Sequence, residues 1–149
     1  MTFTSITLDP GASPEIGAAY RAVWEALWRQ GHLPPAVLEL ARLRLAALHQ
    51  AREEMALRPP WAAELDEAKI AATLAGRWPR DPAFGAAERA VLAFAEVYAQ
   101  DPESIGDELA ADVKAHFGEA GLVCLVEALG FIDGRLRLTL LFNHLGATR

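Results

Sequence analysis

The chain has 149 residues, 52% hydrophobic and 23% charged, which predicts one domain with a core of ordinary size. Its 30 alanines and 21 leucines favour helix throughout and exclude a sandwich, a barrel or a disordered chain. A net charge of −6 argues against nucleic acid as a partner, and the single cysteine, Cys124, excludes an internal disulfide, a CxxC pair and a multi-cysteine zinc site.

The first twelve residues read as an irregular arm, without the basic and apolar regions of a signal peptide. The single domain then runs over 13–149. Ser13-Pro14-Glu15 reads as a helix start, with an N-cap, a proline at the first helical position and an acid in the first turn. Ile16, Tyr20, Val23 and Leu27 recur at helical spacing, Trp24 and Trp28 flank that stripe, and Gly31 ends the helix. Leu33-Pro34-Pro35 starts a second helix, and no glycine or proline interrupts Ala36 to Leu57 before Pro59-Pro60. A straight helix over that run is about 33 Å long.

A short helix is expected near Asp66 to Gly76, then a loop over RWPRDPAF. A further helix follows, whose face is Ala87, Ala90, Val91, Phe94 and Tyr98. Ser104 and Asp107 resemble a capping box for a fifth helix carrying Ile105, Leu109, Val113 and Phe117, which Gly118 closes. The last helix, about Glu119 to Phe142, is apolar on most sides near its start, as expected of a helix in a core or between subunits. Glu127, Asp133 and Arg135 interrupt it too often for a membrane span. The expectation is a soluble, cytoplasmic, all-α protein of about six helices.

The stretches LPPAVLELARLRLAAL, FGAAERAVLAFAEVYAQ and DVKAHFGEAGLVCLVEALGFIDGRLRL, in that order, resemble the carboxymuconolactone decarboxylase and AhpD-like alkylhydroperoxidase superfamily. The resemblance covers roughly residues 33–140. It implies an AhpD-like helical bundle built around a long central antiparallel helix pair. It also implies self-association as a dimer, trimer or hexamer. In the peroxidase branch the chemistry sits in a Glu-x(11)-Cys-x(2)-Cys-x(3)-His pattern. One thiolate attacks the peroxide, the other resolves the sulfenic acid, and the Glu and His relay the proton. Placed on this sequence, Glu39 matches the glutamate, Ala51 and Glu54 stand at the cysteine positions, and Arg58 stands at the histidine position. Cys124 lies about seventy residues away in an apolar run and reads as a buried structural thiol. The resemblance thus implies the scaffold without peroxidase activity: a ligand-binding or interaction module, or a pseudoenzyme. The alternative is an enzyme with non-thiol acid–base chemistry, decarboxylase-like, acting on a small anionic substrate.

The candidate catalytic residues are Glu39, His49, Glu54 and Arg58. Glu39 sits in an apolar run and is either an acid–base group or the partner of Arg42 at i+3. Glu54 and Arg58 are spaced for an i,i+4 ion pair, and in the enzyme reading Arg58 binds the anionic substrate. His49 and Glu53 are one turn apart, but no HExxH or Glu-x-x-His motif completes a metal site. No metal or cofactor is expected, and the partners expected are a second copy of the chain and a small-molecule ligand, with neither nucleic acid nor membrane. His116 falls at a helix C-terminus, where a histidine interacts favourably with the dipole. Asp133 and Arg137 read as a buried i,i+4 pair locking the last helix. On a straight helix Glu39 and Glu54 are about 22 Å apart along the axis. They share a small site only if the helix bends near Leu48–Gln50 or a second subunit completes it. A glutamine at position 50, where the family's cysteine-bearing members commonly have glycine, argues against such a bend.

Overall fold

Proline and glycine divide the chain much as the sequence reading expects. The computed structural model describes residues 14–147. The expected arm over 1–12 and the Ser13 cap lie outside the described residues. The described residues form six α-helices joined by short connections and two single turns of 3₁₀ helix, with no strand among them. The helices are α1 (Pro14–Arg29), α2 (Pro35–Leu48), α3 (Arg52–Ala56), α4 (Glu67–Leu74), α5 (Ala86–Gln100) and α6 (Asp107–Ala147).

The starts have local causes. Two prolines, Pro34 and Pro35, set the entry to α2. The Asp66 carboxylate accepts from the Lys69 N–H at 2.7 Å and caps α4. Glu88 reaches back to accept from the Gly85 N–H at 2.9 Å at the start of α5. The expected capping role of Ser104 is corrected. Ser104 lies in a 3₁₀ turn, and its hydroxyl donates to Asp101 at 2.5 Å, one turn before α6 begins. Gly118 has φ 71° and ψ 179°, so α6 runs as a 107–117 arm and a 119–147 arm. The left-handed φ there suits glycine, and the break falls where the sequence places it.

The long second helix expected over 36–57 is two helices. Gln50 takes φ 55°, the only positive φ of a non-glycine residue among those described. The Gln50 N–H donates to the Ala47 carbonyl at 3.0 Å and the Ala51 N–H donates to the Ala46 carbonyl at 2.9 Å. That pair of bonds is a Schellman cap, which usually has glycine at the left-handed position. Ala46 and Ala51 meet the same apolar core, which adds the hydrophobic contact such caps favour. Packing of the residues after the turn therefore outweighs the local preference of glutamine.

α2 is the central helix, in contact with α3, α4, α5 and α6. The main core gathers Trp24 and Trp28 of α1, Leu38, Ala41 and Leu45 of α2, Val91 and Phe94 of α5, and Leu125, Leu129 and Ile132 of α6. A smaller cluster of Leu40, Ala72, Trp78, Phe84 and Leu92 lies on the other side of α2. On α1 the buried face is rotated from the expected stripe: Trp24, Leu27 and Trp28 are buried, whereas Ile16 and Val23 are exposed. The tryptophans remove more apolar area from water than the aliphatic pair, so they take the core. By length and composition α6 over Asp107–Leu145 is apolar enough to cross a membrane, with 33% of its apolar window buried, so the expectation that its charges interrupt it too often is corrected on composition. Arg135 is drawn into the interior by the Glu54 carboxylate of α3.

Candidate functional site

The turn at Gln50 brings α3 back beside α2, and a carboxylate from each meets one guanidinium. Arg42 is fully buried and donates to both oxygens of Glu39, Nε to Oε2 at 2.8 Å and Nη2 to Oε1 at 2.6 Å. Its Nη1 donates to Glu54 twice, to the carbonyl and to Oε2, both at 3.0 Å. Arg135, from α6, completes the group with Nη1 to Glu54 Oε2 at 2.8 Å and Nη2 to Oε1 at 2.9 Å. Glu39, Arg42, Glu54 and Arg135 are each at most 2% exposed. Two carboxylates and two guanidiniums sum to zero, which is what permits four ions to share a dry interior. Burial nevertheless pulls the Arg135 guanidinium down to about 10, against the opposing pull of Glu54.

Aromatic rings close this cluster. Trp61 Nε1 donates to Glu39 Oε2 at 2.9 Å. Trp28 stacks on Trp61 with centroids 4.3 Å apart, and Trp24 meets both edge-on. The Arg135 guanidinium carbon lies 3.9 Å from the centre of a Trp24 ring, a cation–π contact. Glu39 is therefore bidentate to Arg42, covered by Trp61 and wholly out of water. A carboxylate so held cannot exchange a proton with a ligand without breaking those contacts.

The four expected site residues separate into three places. Glu39 and Glu54 converge, as a bend requires. His49, at the C-terminus of α2, meets Asp133 of α6 rather than Glu53, with Nε2 and Oδ1 2.5 Å apart. Asp133 also accepts from Arg137 at 2.9 Å, so the expected i,i+4 pair is present. It is a surface pair, not a buried lock, because the Arg137 side chain is 64% exposed. Arg135, two residues earlier, is the arginine that locks the helix. Arg58 is turned outward: past the end of α3, it pairs with exposed Glu67 at 3.0 Å instead of Glu54. The chain is extended at Leu57, so the i,i+4 geometry never forms. Among the described residues no group of histidine, cysteine and carboxylate side chains could hold a metal.

The sequence reading passed over Arg135 and Trp61. Arg135 lies two positions from both Asp133 and Arg137, so nothing local in the sequence set it apart from its charged neighbours. Arg42 was identified only as a partner for Glu39, and it proves to join both carboxylates.

A cavity of about 230 Å³ lies against the outer side of Glu54, lined by Gln50, Ala51, Glu53, Thr139, Leu140 and Asn143. It opens at the Gln50 turn and is walled by α6. Its floor includes Ala51 and Glu54, the two positions that match cysteines in the resemblance. Cys124 is elsewhere, half-buried in a groove between α1 and α6. Burial and the charge of Glu127 raise its thiol pKa, so little nucleophilic thiolate forms near neutral pH. The expectation of a buried structural thiol is corrected to a half-buried one.

No family model and no curated protein matches this sequence. Among solved structures, it is similar to a protein of unknown function from Agrobacterium tumefaciens, described as "Putative Antioxidant Defence Protein AhpD". The TM-score is 0.77 at 22% identity, over 90% of this chain and 92% of that one. Likeness at this identity speaks to fold, and the six helices without a strand agree with it: the chain has the AhpD-like all-α fold.

Proposed function

We propose that this protein keeps the AhpD-like scaffold without its thiol peroxidase chemistry and binds a small polar ligand in the cavity beside Glu54. The observation that carries this reading is the fate of the two cysteine positions. Ala51 cannot react, and Glu54 is clamped by Arg42 and Arg135, yet a cavity still opens onto both. Its size suits a ligand of only a few heavy atoms, since drug-sized pockets are about 300–1,000 Å³. Gln50, Thr139 and Asn143 supply hydrogen-bonding groups at its wall. The cytoplasm is the compartment in this reading, because a chain with one cysteine has no disulfide framework that needs an oxidising one.

The acid–base alternative has less support. It requires Glu39, His49, Glu54 and Arg58 to face one cavity, and of the four only Glu54 lines this one.

The test is peroxide consumption with hydrogen peroxide or cumene hydroperoxide and a dithiol reductant. No turnover above the protein-free rate is expected. Turnover that persists in Cys124→Ser would overturn the reading. Ligand binding is tested separately by amide chemical-shift changes with formate, acetate, urea and glycolamide. Shifts confined to residues 50–54 and 139–143 are expected with at least one probe, and none at those positions with any probe would remove the binding claim.

A further inference from the structure

A second and larger cavity, about 520 Å³, lies between α1 and the 119–147 arm of α6. The two helices run antiparallel there: Tyr20 packs on Phe131, and a Cβ on Gly121 would lie 3.5 Å from the His32 carbonyl. Val23, Ala26, Leu27, Ala120, Val123 and Cys124 make the groove apolar along its length. Its volume is within the range of small-molecule sites. Two carboxylates also line it, Glu119 toward the His32 end and Glu127 toward the Val23 end, and no lysine or arginine does. Among the described residues neither carboxylate has an ion-pair partner. Gln30, also in the wall, commits its carboxamide to its own loop. Its Nε2 donates to the Leu33 carbonyl at 2.8 Å, and its Oε1 accepts from the N–H groups of His32 and Leu33 at 2.7 and 2.9 Å. The two carboxylates are not equivalent. Glu119 opens the arm after Gly118, where the helix N-terminus offsets part of its charge. Glu127 lies two turns further on without that offset, and its field reaches the Cys124 thiol.

We propose that this groove binds an organic cation with an apolar body, its ammonium on Glu127 and its body along Leu27 and Val123 toward His32. Charge complementarity selects the cation, because an anion would meet two carboxylates and no lysine or arginine. The apolar walls select the body, since a small inorganic cation gains nothing from them. From Glu127 back to Glu119 is about 12 Å along the helix. An extended aliphatic chain advances about 1.2 Å per bond, so a tail of about eight carbons spans most of that length. The groove shares no residue with the cavity beside Glu54, and the inference does not rest on the reading of that cavity.

Cys124 is the one thiol of the chain, and its place in the groove wall makes it a reporter of occupancy. Its alkylation by iodoacetamide in the whole folded chain, at mildly alkaline pH, tests the proposal with octylammonium, octanol and octanoate as probes. Each probe is kept below the concentration at which it forms micelles. Millimolar octylammonium is expected to slow alkylation of Cys124 at least threefold and to leave that of free cysteine unchanged. Octanol is expected to protect less, and octanoate least. Unfolding would speed the reaction, so slowing cannot arise from it. Glu127→Lys changes an exposed position and is expected to move the octylammonium-to-octanoate preference at least tenfold toward the anion. Absence of protection by octylammonium would overturn the proposal, including the case in which a second copy of the chain already covers the groove. Equal protection by octanoate would overturn it too, as would a preference that Glu127→Lys leaves unchanged.

Discussion

Replacing Arg135 by methionine removes one corner of the buried ion cluster and little else, since the side chain can still lie on Trp24. Two charge-assisted hydrogen bonds to Glu54 are lost, at 2.8 and 2.9 Å. Glu54 keeps Arg42 Nη1 at 3.0 Å, but Arg42 already holds Glu39 with its other two nitrogens. The cluster then carries an uncompensated negative charge in a region at most 2% exposed. Breaking such a pair from one side costs about 3–5 kcal/mol. A domain with a total stability of roughly 5–15 kcal/mol loses a large part of it. The expected fall in Tm is roughly 6–20 °C for this chain length. Arg135→Met/Glu54→Gln removes the stranded charge, leaves the Glu39–Arg42 pair intact and keeps the Glu54 carbonyl as an acceptor. The double variant should recover at least half of the single variant's loss. Urea unfolding of wild type, both singles and the double gives the coupling directly. A single-variant cost below about 1 kcal/mol, or two costs that simply add, would refute the account of a closed, charge-neutral cluster.

Gln50→Gly relieves the left-handed residue of the Schellman cap, where a side chain costs about 1–2 kcal/mol, partly offset by the greater freedom of glycine when unfolded. A net gain of about 0.5–1 kcal/mol is expected in urea unfolding, and a loss would mean that the Gln50 side chain makes a contact worth more than the strain. For Cys124 the direction of the pH effect follows from its raised pKa. The thiolate forms later as pH rises, so the rate–pH curve for iodoacetamide should lie to the alkaline side of that for free cysteine. Alkylation of native protein at pH 7 as fast as free cysteine would contradict the burial of that thiol.

Where a signal is local, the sequence carries it. Pro34-Pro35, Asp66, Gly118 and the helical recurrence of apolar residues placed the starts, the kink and the all-α class, because caps and periodicity act within a few residues. The resemblance added a fold that the structural likeness supports. Several features were misread, Gln50 and Arg58 among them. Gln50 gave no cue for a turn, since its left-handed conformation is imposed by the packing of Ala46 and Ala51 beside it. Arg58 was expected to pair with Glu54 because both were counted along a helix that ends before reaching Arg58.

By itself, the sequence determined the class, the order of the helices and the absence of a second thiol, all properties of composition or of neighbours along the chain. The tertiary structure alone decided which charges meet. Arg42 and Arg135 are 93 positions apart, and their shared partner Glu54 reaches both only because the chain turns at Gln50. The physical reason is burial: a carboxylate in a dry interior takes whichever guanidinium the packing of three helices brings to it, and no spacing along the chain encodes that choice.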